Sequence, residues 1–378
     1  MDRSEVSNSD RSGLLETEVG AVVGVEQERP GAQELVVQIR DRQERALNYT
    51  HLLGRLAPGE RVLLNTTAVR AGLGTGGYHF VMKRSGQDRK EADTPGRIVK
   101  LRYTPLQFRC SSVEEQDSPY REAVAACDEL EGMPVIAAGL HSQIAPAAAA
   151  VKAMRPEARI AYVMTDTAAL PLAFSQLVAA LKEAGLLDAT ITVGQAFGGD
   201  YEAVNVFSGL LAARAVVGAE VVIVGQGPGN VGTETEWGFG AIAQGEHVNA
   251  AGILGGTAVA IPRISFADRR PRHHGVSRQF LVALGRVALT QALVSVPAMQ
   301  PERLELVQRQ LDDEGITTKH EVLVARGEAG IEALAAHGVE VKSMGRSVEA
   351  DPEFFLAAGA AGAIAVERLR WTKNSESD

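Results

Sequence analysis

Residues 220–240, EVVIVGQGPGNVGTETEWGFG, decide the fold: an apolar run of β-branched residues breaks into a glycine-rich loop. Further along, residues 257–262, TAVAIP, form a second apolar run that passes directly into residues 263–278, RISFADRRPRHHGVSR. A strand that is apolar throughout is buried on both faces, as in a parallel sheet covered by helices. Ligands bind where such strands end. The two stretches therefore predict an α/β domain with a ligand site at one edge of its sheet.

Similar apolar runs recur from residue 120 to residue 370 and alternate with helical stretches rich in Ala and Leu. This alternation is typical of a mainly parallel sheet covered by helices, a Rossmann-like arrangement of three layers. The predicted strands are Pro134–Leu140, Arg159–Thr165, Ala189–Gly194, Glu220–Gly225, Thr257–Pro262, Ala292–Val296, His320–Ala325 and Val339–Met344.

Residues 18–110 follow another pattern, in which about six short β runs succeed one another without a convincing helix. Short strands separated by turn residues predict a small all-β barrel or sandwich domain ahead of the α/β domain. Residues 111–119, SSVEEQDSP, have the composition of a linker. Residues 1–17 and 371–378 are polar, and we predict disordered tails there.

The net charge of −9 excludes broad electrostatic attraction to nucleic acid or to an anionic membrane surface. Only two cysteines are present, Cys110 and Cys127, and their spacing is not that of a metal site. The first residues lack the apolar segment of a signal peptide. We therefore expect a cytoplasmic protein with reduced thiols and no membrane span.

The loop after residue 225 places Gly227, Gly229 and Gly232 in the pattern GxGxxG directly after a strand. Such glycines let backbone amides approach a phosphate, as in dinucleotide-binding proteins. Pro228 removes one amide donor, however, and residues 233–240 delay the next helix. The loop could hold a dinucleotide or another ligand, or it could be a structural turn. The same pattern also occurs in the β-rich region, at Gly72, Gly74 and Gly77.

The basic loop, residues 263–278, contains five arginines against one aspartate in an otherwise acidic chain. Arginine is suited to binding phosphate and carboxylate groups. His273 and His274 could supply an acid or a base near neutral pH. Alternatively, the loop is a solvated surface whose arginines pair with carboxylates. The candidate anion-binding residues of this loop are Arg269, Arg270 and Arg272.

Polar residues also follow the first three predicted strands of the α/β domain. His141 follows the first, Asp166 the second, and Gly199 and Asp200 the third. If these strands are parallel, all four residues share one sheet edge with the glycine loop. Each also has a structural interpretation: His141 as a buried hydrogen-bonded side chain, Asp166 as a strand terminator, and Asp200 as a helix cap.

Four stretches together carry a resemblance to a known family: HSQIAPAAAAVKAMRPEARIAYVMTD, VGQAFGGDYEAVN, GPGNVGTETEWGFG and PRISFADRRPRHHG. They resemble a bacterial family of uncharacterised proteins that is described as a domain of unknown function. The resemblance implies no activity, cofactor or partner. Glycine often stands in that family where this chain has Glu234, and a carboxylate at this position weakens a phosphate site.

The residues favour a protein that binds a small anionic metabolite bearing phosphate or carboxylate. As an enzyme, it would use His273 or His274 to move a proton, and Asp166 or His141 would orient that histidine or share its role. One alternative is an oxidoreductase that uses an NADP-type dinucleotide. Another is a non-catalytic protein that senses a metabolite or serves as a scaffold. No metal site or cofactor is identified, and helices rich in Ala and Gly are compatible with a homodimer.

Overall fold

The computed structural model describes residues 14–74, 76–86 and 95–375, with side chains up to residue 369. The chain divides into two compact units, residues 1–93 and 94–378. Of the predicted tails, residues 1–13 and 376–378 lie outside the described residues. Residues 371–375 continue the last helix, so that helix extends beyond the predicted end of the α/β domain.

The first unit contains a closed barrel of five strands, which confirms the predicted small β barrel. Strand β1 is long enough to pair with both β2 and β4, and two bulges between Val22 and Gln27 let it bend around the barrel. Alternate side chains of the strands, such as Leu35, Val62 and Leu64, fill the interior. The elements are β1 (Thr17–Arg29), β2 (Ala32–Ile39), β3 (Arg42–Tyr49), α1 (Thr50–Leu53), β4 (Arg61–Asn65), α2 (Thr67–Arg70) and β5 (His79–Arg84).

The second unit begins with a two-stranded hairpin, β6 (Ile98–Lys100) and β7 (Phe108–Cys110). Both runs fall within residues 18–110, the predicted small domain, but the unit boundary places them with the α/β domain. The side chain of Lys100 explains the assignment, because its ammonium group is buried within the second unit beside Glu202.

The core of the second unit is an eight-stranded sheet in which every neighbouring pair is parallel, which confirms the predicted fold class. The predicted strand Val339–Met344 is wrong, because this segment is a loop, and β11 was not predicted. The strands, in their order across the sheet, are β11 (Tyr201–Ala203), β10 (Ala189–Val193), β9 (Ile160–Thr165), β12 (Val221–Gln226), β8 (Pro134–Ala138), β13 (Thr257–Ala260), β16 (Leu293–Pro297) and β17 (Glu321–Ala325).

Helices cover the sheet, and small residues let them pack closely. A Cβ atom on Gly330 would lie 2.3 Å from the carbonyl oxygen of Pro146, and one on Gly362 would lie 2.4 Å from that of Ala147. The helices are α3 (Arg121–Ala125), α4 (Ile144–Met154), α5 (Gln176–Glu183), α6 (Val206–Ala215), α7 (Ala243–Ile253), α8 (Arg278–Val282), α9 (Pro301–Asp313), α10 (Ile316–Lys319), α11 (Glu328–Ala336) and α12 (Pro352–Ser375). A hairpin of β14 (Ile264–Ser265) and β15 (Gly275–Val276) precedes α8, and a π-helical turn, Ala283–Val287, follows it.

The order of the strands reverses at the centre of the sheet, between neighbouring strands β8 and β12. The chain leaves β8 toward β9 on one side, and it leaves β12 toward β13 on the other. Because crossovers between parallel strands are right-handed, the two following helices, α4 and α7, lie on opposite faces. A crevice is expected between the carboxyl ends of two such strands.

Candidate functional site

A cleft of about 1110 Å³ opens at the carboxyl ends of β8 and β12. Its walls come from the residues that follow these strands, from the basic loop, from the first turns of α5 and from the loop after α11. Of the candidate residues, the structure brings seven into this lining: His141, Gly227, Gly229, Gly232, Arg270, Arg272 and His273.

The glycine loop lines the cleft, and two of its positions require glycine. Gly227 is packed so closely that a Cβ atom would lie 2.6 Å from the carbonyl oxygen of Ala169. Gly229 has a φ of +97°, a conformation that favours glycine. After Gly232, the chain forms an exposed turn and reaches helix α7 only at Ala243. The amides of this loop are therefore not the first amides of a helix, as they are in a dinucleotide-binding loop.

Asp268 organises the arginines at the base of the basic loop. Its buried carboxylate accepts hydrogen bonds from Arg263 at 3.0 Å, from Arg270 at 2.7 and 2.9 Å, and from Arg346 at 3.3 Å. The guanidinium of Arg270 holds the pKa of Asp268 well below its usual range. Arg346 also contacts the buried carboxylate of Asp351 at 2.9 Å. The network fixes Arg263 and Arg270 at the cleft wall.

Arg272 and Arg278 have more exposed partners than Arg263. The Nη1 atom of Arg272 lies 2.7 Å from the Oε1 atom of Glu234, whose side chain is 81% exposed. Arg278 pairs with Glu236 at 2.7 Å and also with Glu314. Because exposed ion pairs contribute little free energy, the pair between Arg272 and Glu234 can exchange for a ligand at low cost.

His273 lies buried beside Arg272. Its Nδ1 atom is 2.7 Å from the hydroxyl of Ser277, and its Nε2 atom accepts a hydrogen bond from the Nε of Arg272 at 3.3 Å. Burial and the nearby cations Arg263 and Arg270 lower the pKa of His273 to about 4. The ring is therefore neutral near pH 7, with its proton on Nδ1.

His141 lies at the end of β8, with protein partners at both ring nitrogens. Its Nε2 atom is 2.7 Å from the hydroxyl of Ser175, and its Nδ1 atom is 3.2 Å from the carbonyl oxygen of Gln226. Since a carbonyl only accepts, Nδ1 carries the proton and Nε2 accepts from Ser175. Burial lowers the pKa of His141 to about 4. These contacts match the structural interpretation of His141, in which it is a buried, hydrogen-bonded side chain and not a catalytic group.

We expect both cleft histidines to remain neutral at pH 6, where an ordinary exposed histidine is largely protonated. Their pKa values of about 4 lie well below the usual value of about 6.5. Ring carbon and nitrogen chemical shifts in labelled protein, recorded from pH 8 to pH 4.5, measure this directly. His141→Gln and His273→Gln variants assign the two signals. Midpoints near pH 6.5 would contradict the buried, hydrogen-bonded arrangement.

The five other candidate residues do not line the cleft. Asp166 accepts a hydrogen bond from the amide of Gln195 at 2.8 Å, beside the end of β10. Asp200 binds the amide and hydroxyl of Thr190 at 2.8 and 2.9 Å, and it does not cap α6, because that cap is Asn205. The remaining three are Gly199, in the tight turn between β10 and β11, and the exposed residues Arg269 and His274.

Several residues at or beside the cleft were not among the predicted candidates. Ser175 holds His141 and also caps α5, accepting from the amide of Val178 at 3.0 Å. Gln226 is buried at the end of β12, where its amide donates to the carbonyl of Gly139 at 3.0 Å. Its place at the end of the strand was visible in the sequence. The loop of residues 338–344 also lines the cleft, and its mistaken assignment as a strand concealed this role.

Within residues 14–74, 76–86 and 95–375, no three His, Cys, Asp or Glu side chains are grouped to hold a metal ion. Over the same residues, no helix is both long and apolar enough to cross a bilayer. Cys110 and Cys127 are free thiols.

The fold and the cleft define the class: an α/β domain with a parallel sheet and an arginine-lined cleft at its switch point, accompanied by a five-stranded β barrel. The chain belongs to the family described as Protein of unknown function (DUF3866), which matches residues 45–362. No curated protein is significantly similar to it in sequence.

Proposed function

We propose that the cleft binds a small anionic metabolite. Four arginines and Lys342 line it, against three glutamates. The first turn of α5 lines the same cleft through Gln176 and Leu177. The proposal depends most on the ion pair of Arg272, because its carboxylate partner, Glu234, is exposed and can be replaced by an anionic ligand.

Binding has more support from the geometry than acid–base catalysis. Both ring nitrogens of His141 and of His273 are engaged by protein groups. A histidine with a pKa of about 4 is a weak base, and near pH 7 it is the neutral imidazole and not the imidazolium that serves as a general acid. The same binding cleft would suit an enzyme or a metabolite sensor.

The NADP-type alternative has less support. The pyrophosphate of a dinucleotide binds at the N-terminus of a helix that directly follows the glycine loop. Here, an exposed turn separates Gly232 from α7, and Pro228 offers no amide. Three expectations stay predictions: that the protein has no nucleic-acid partner, that it can form a homodimer and that it is cytoplasmic.

Replacing Arg272 with alanine is expected to weaken anion binding about tenfold to a hundredfold, because a hydrogen bond to a charged group is lost. Calorimetric titration with inorganic phosphate, glucose 6-phosphate, benzoate and NADP measures the affinities. Arg269→Ala is the matched control, since Arg269 is exposed and does not line the cleft. Equal affinities in wild type and both variants, or no binding by any of these anions, would rule out the proposed site.

A further inference from the structure

We infer that the ligand of the cleft carries a carboxylate on an apolar body, and that Glu234 occupies the position of that carboxylate in the free protein. The inference rests on the proposed function and makes its ligand class more specific. Four structural features support it: the contacts of Arg272, the construction of the turn that carries Glu234, the single guanidinium that withdrawal of Glu234 would free and the apolar side chains of the cleft lining.

Arg272 is the cleft arginine with the most exposed carboxylate partner. The side chain of Glu234 is 81% exposed, whereas those of Glu236, Glu314 and Asp268, which bind the other arginines, are 39%, 26% and 3% exposed. The Nε atom of Arg272 also donates to His273, which helps to fix the guanidinium in place. A ligand carboxylate can therefore replace Glu234 without disturbing a buried ion pair.

The turn that carries Glu234 is held together by its own hydrogen bonds. The amide of Thr233 donates to the carbonyl of Gly238 at 2.8 Å, and the hydroxyls of Thr233 and Thr235 are 2.8 Å apart. The amide of Gly238 donates to the hydroxyl of Thr235 at 3.2 Å. Because these bonds are internal, Glu234 can leave Arg272 without unfolding the turn.

The guanidinium that Glu234 now contacts fits a monoanion. Asp268 already holds three arginines in its network, and Arg278 has two glutamate partners, Glu236 and Glu314. Withdrawal of Glu234 leaves one guanidinium, that of Arg272, without its charge partner. A phosphate dianion would need further donors, and the glycine loop does not supply the amides of a helix N-terminus. A single carboxylate matches what Glu234 itself provides.

The same cleft also has an apolar wall that an inorganic anion would leave unused. Small-molecule sites combine such a wall with a few polar groups that orient the ligand. A carboxylic acid with an aromatic or branched aliphatic body fits both parts. The apolar side chains are Leu140, Leu177, Ala180, Phe239, Val341 and Met344.

Calorimetric titration of the full chain with benzoate, 4-phenylbutyrate, benzyl alcohol and inorganic phosphate tests the inference. Wild type is expected to bind both carboxylates, to bind phosphate more weakly and not to bind the alcohol. Glu234→Gln is expected to bind the carboxylates about twofold to fivefold more tightly, the range that loss of an exposed competing ion pair allows. Arg272→Ala is expected to bind them more weakly than wild type.

Glu340→Gln is the matched control, because Glu340 lines the cleft and is exposed but pairs with Lys342 at 3.6 Å. If Glu340→Gln tightens binding as much as Glu234→Gln does, the gain is general electrostatics and the inference fails. Phosphate binding more tightly than benzoate, with Arg272 still required, also overturns the inference but leaves the proposed function intact. If none of the anions binds, the proposed function and the inference fail together.

Discussion

Replacement of Asp268 with asparagine is expected to lower the free energy of unfolding by about 3–5 kcal/mol, the usual cost of removing one partner from a buried ion pair. The carboxylate is shared by Arg263, Arg270 and Arg346. Asparagine keeps the size of the side chain but leaves these guanidinium groups with one charge fewer to balance them. Urea denaturation followed by tryptophan fluorescence measures the loss. Both tryptophans of the chain, Trp237 and Trp371, belong to the second unit.

The loss of stability caused by Asp268→Asn should become smaller as the pH falls. The folded protein holds the pKa of Asp268 below its ordinary value, chiefly through its hydrogen bonds with Arg270. The stabilisation is therefore present above the pKa of the unfolded chain, about 3.9, and is lost as the pH falls toward the folded pKa. We expect a constant difference between wild type and variant from pH 7 to pH 5, and a smaller difference below about pH 4.

A surface pair supplies the control for this measurement. Asp117 lies 2.7 Å from Arg97, and both side chains are about two-thirds exposed. Asp117→Asn should cost less than about 1 kcal/mol, because exposed ion pairs are screened by water. If the two variants lose similar amounts of stability, Asp268 does not organise the basic loop as its contacts indicate.

The sequence predicted the parallel sheet well because burial on both faces requires apolar residues throughout a strand. The run VVIV of β12 is apolar at every position, which is typical of a strand covered by helices on both faces of its sheet. The segment Val339–Met344 follows a different pattern: its apolar residues alternate with polar ones as in a half-buried strand, but Met344 and Gly345 have positive φ values and the segment is a loop. Alternation records which side chains are buried and does not show whether a neighbouring strand is available to pair.

The lining of the cleft could be predicted in part, and the reason is geometric. Parallel strands bring their carboxyl ends to one edge, and His141, Gly227 and His273 line the same cleft at that edge. The edge is wider than the cleft, however, and Asp166 lies farther along it, at the end of β9. Asp200 was placed on the wrong edge: it directly precedes β11 and binds Thr190 near the start of β10, at the amino-terminal edge of the sheet. Only the order of the strands locates the switch point, and a single sequence does not contain that order.

The buried pair between Lys100 and Glu202 was also hidden from the sequence, because its two partners are distant along the chain. The ammonium group lies 3.1 Å from the Oε2 atom of Glu202 and donates to the carbonyl of Ala196 at 2.9 Å. Glu202 accepts further bonds from Thr192 and Gly198 at 2.7 Å each. Burial raises the pKa of Glu202 although Lys100 opposes this effect. Lys100 thus supplies the positive charge that offsets the free-energy cost of burying the carboxylate of Glu202.

Replacing Lys100 with methionine is expected to lower the free energy of unfolding at pH 7 by about 3–5 kcal/mol, because Glu202 is left buried without its counter-charge. The pKa of Glu202, already raised, should rise further. A group with a raised folded pKa is destabilising at high pH and recovers as the pH falls below that value. The deficit of the variant should therefore shrink as the pH falls toward the pKa of a glutamate in the unfolded chain, about 4.3, because protonation removes the unpaired charge of Glu202. Urea denaturation at several pH values measures it.

A double variant separates the charge of Lys100 from its packing. Lys100→Met combined with Glu202→Gln removes both charges, and a buried pair replaced by neutral side chains of similar volume often costs little. The double variant should therefore be more stable than Lys100→Met alone at pH 7, and its stability should not depend on pH through this site. If Lys100→Met destabilises the Glu202→Gln protein as much as it does wild type, Lys100 acts through its packing and its bond to Ala196. The coupling free energy of this cycle measures how strongly charge attaches the β6–β7 hairpin to the edge of the sheet.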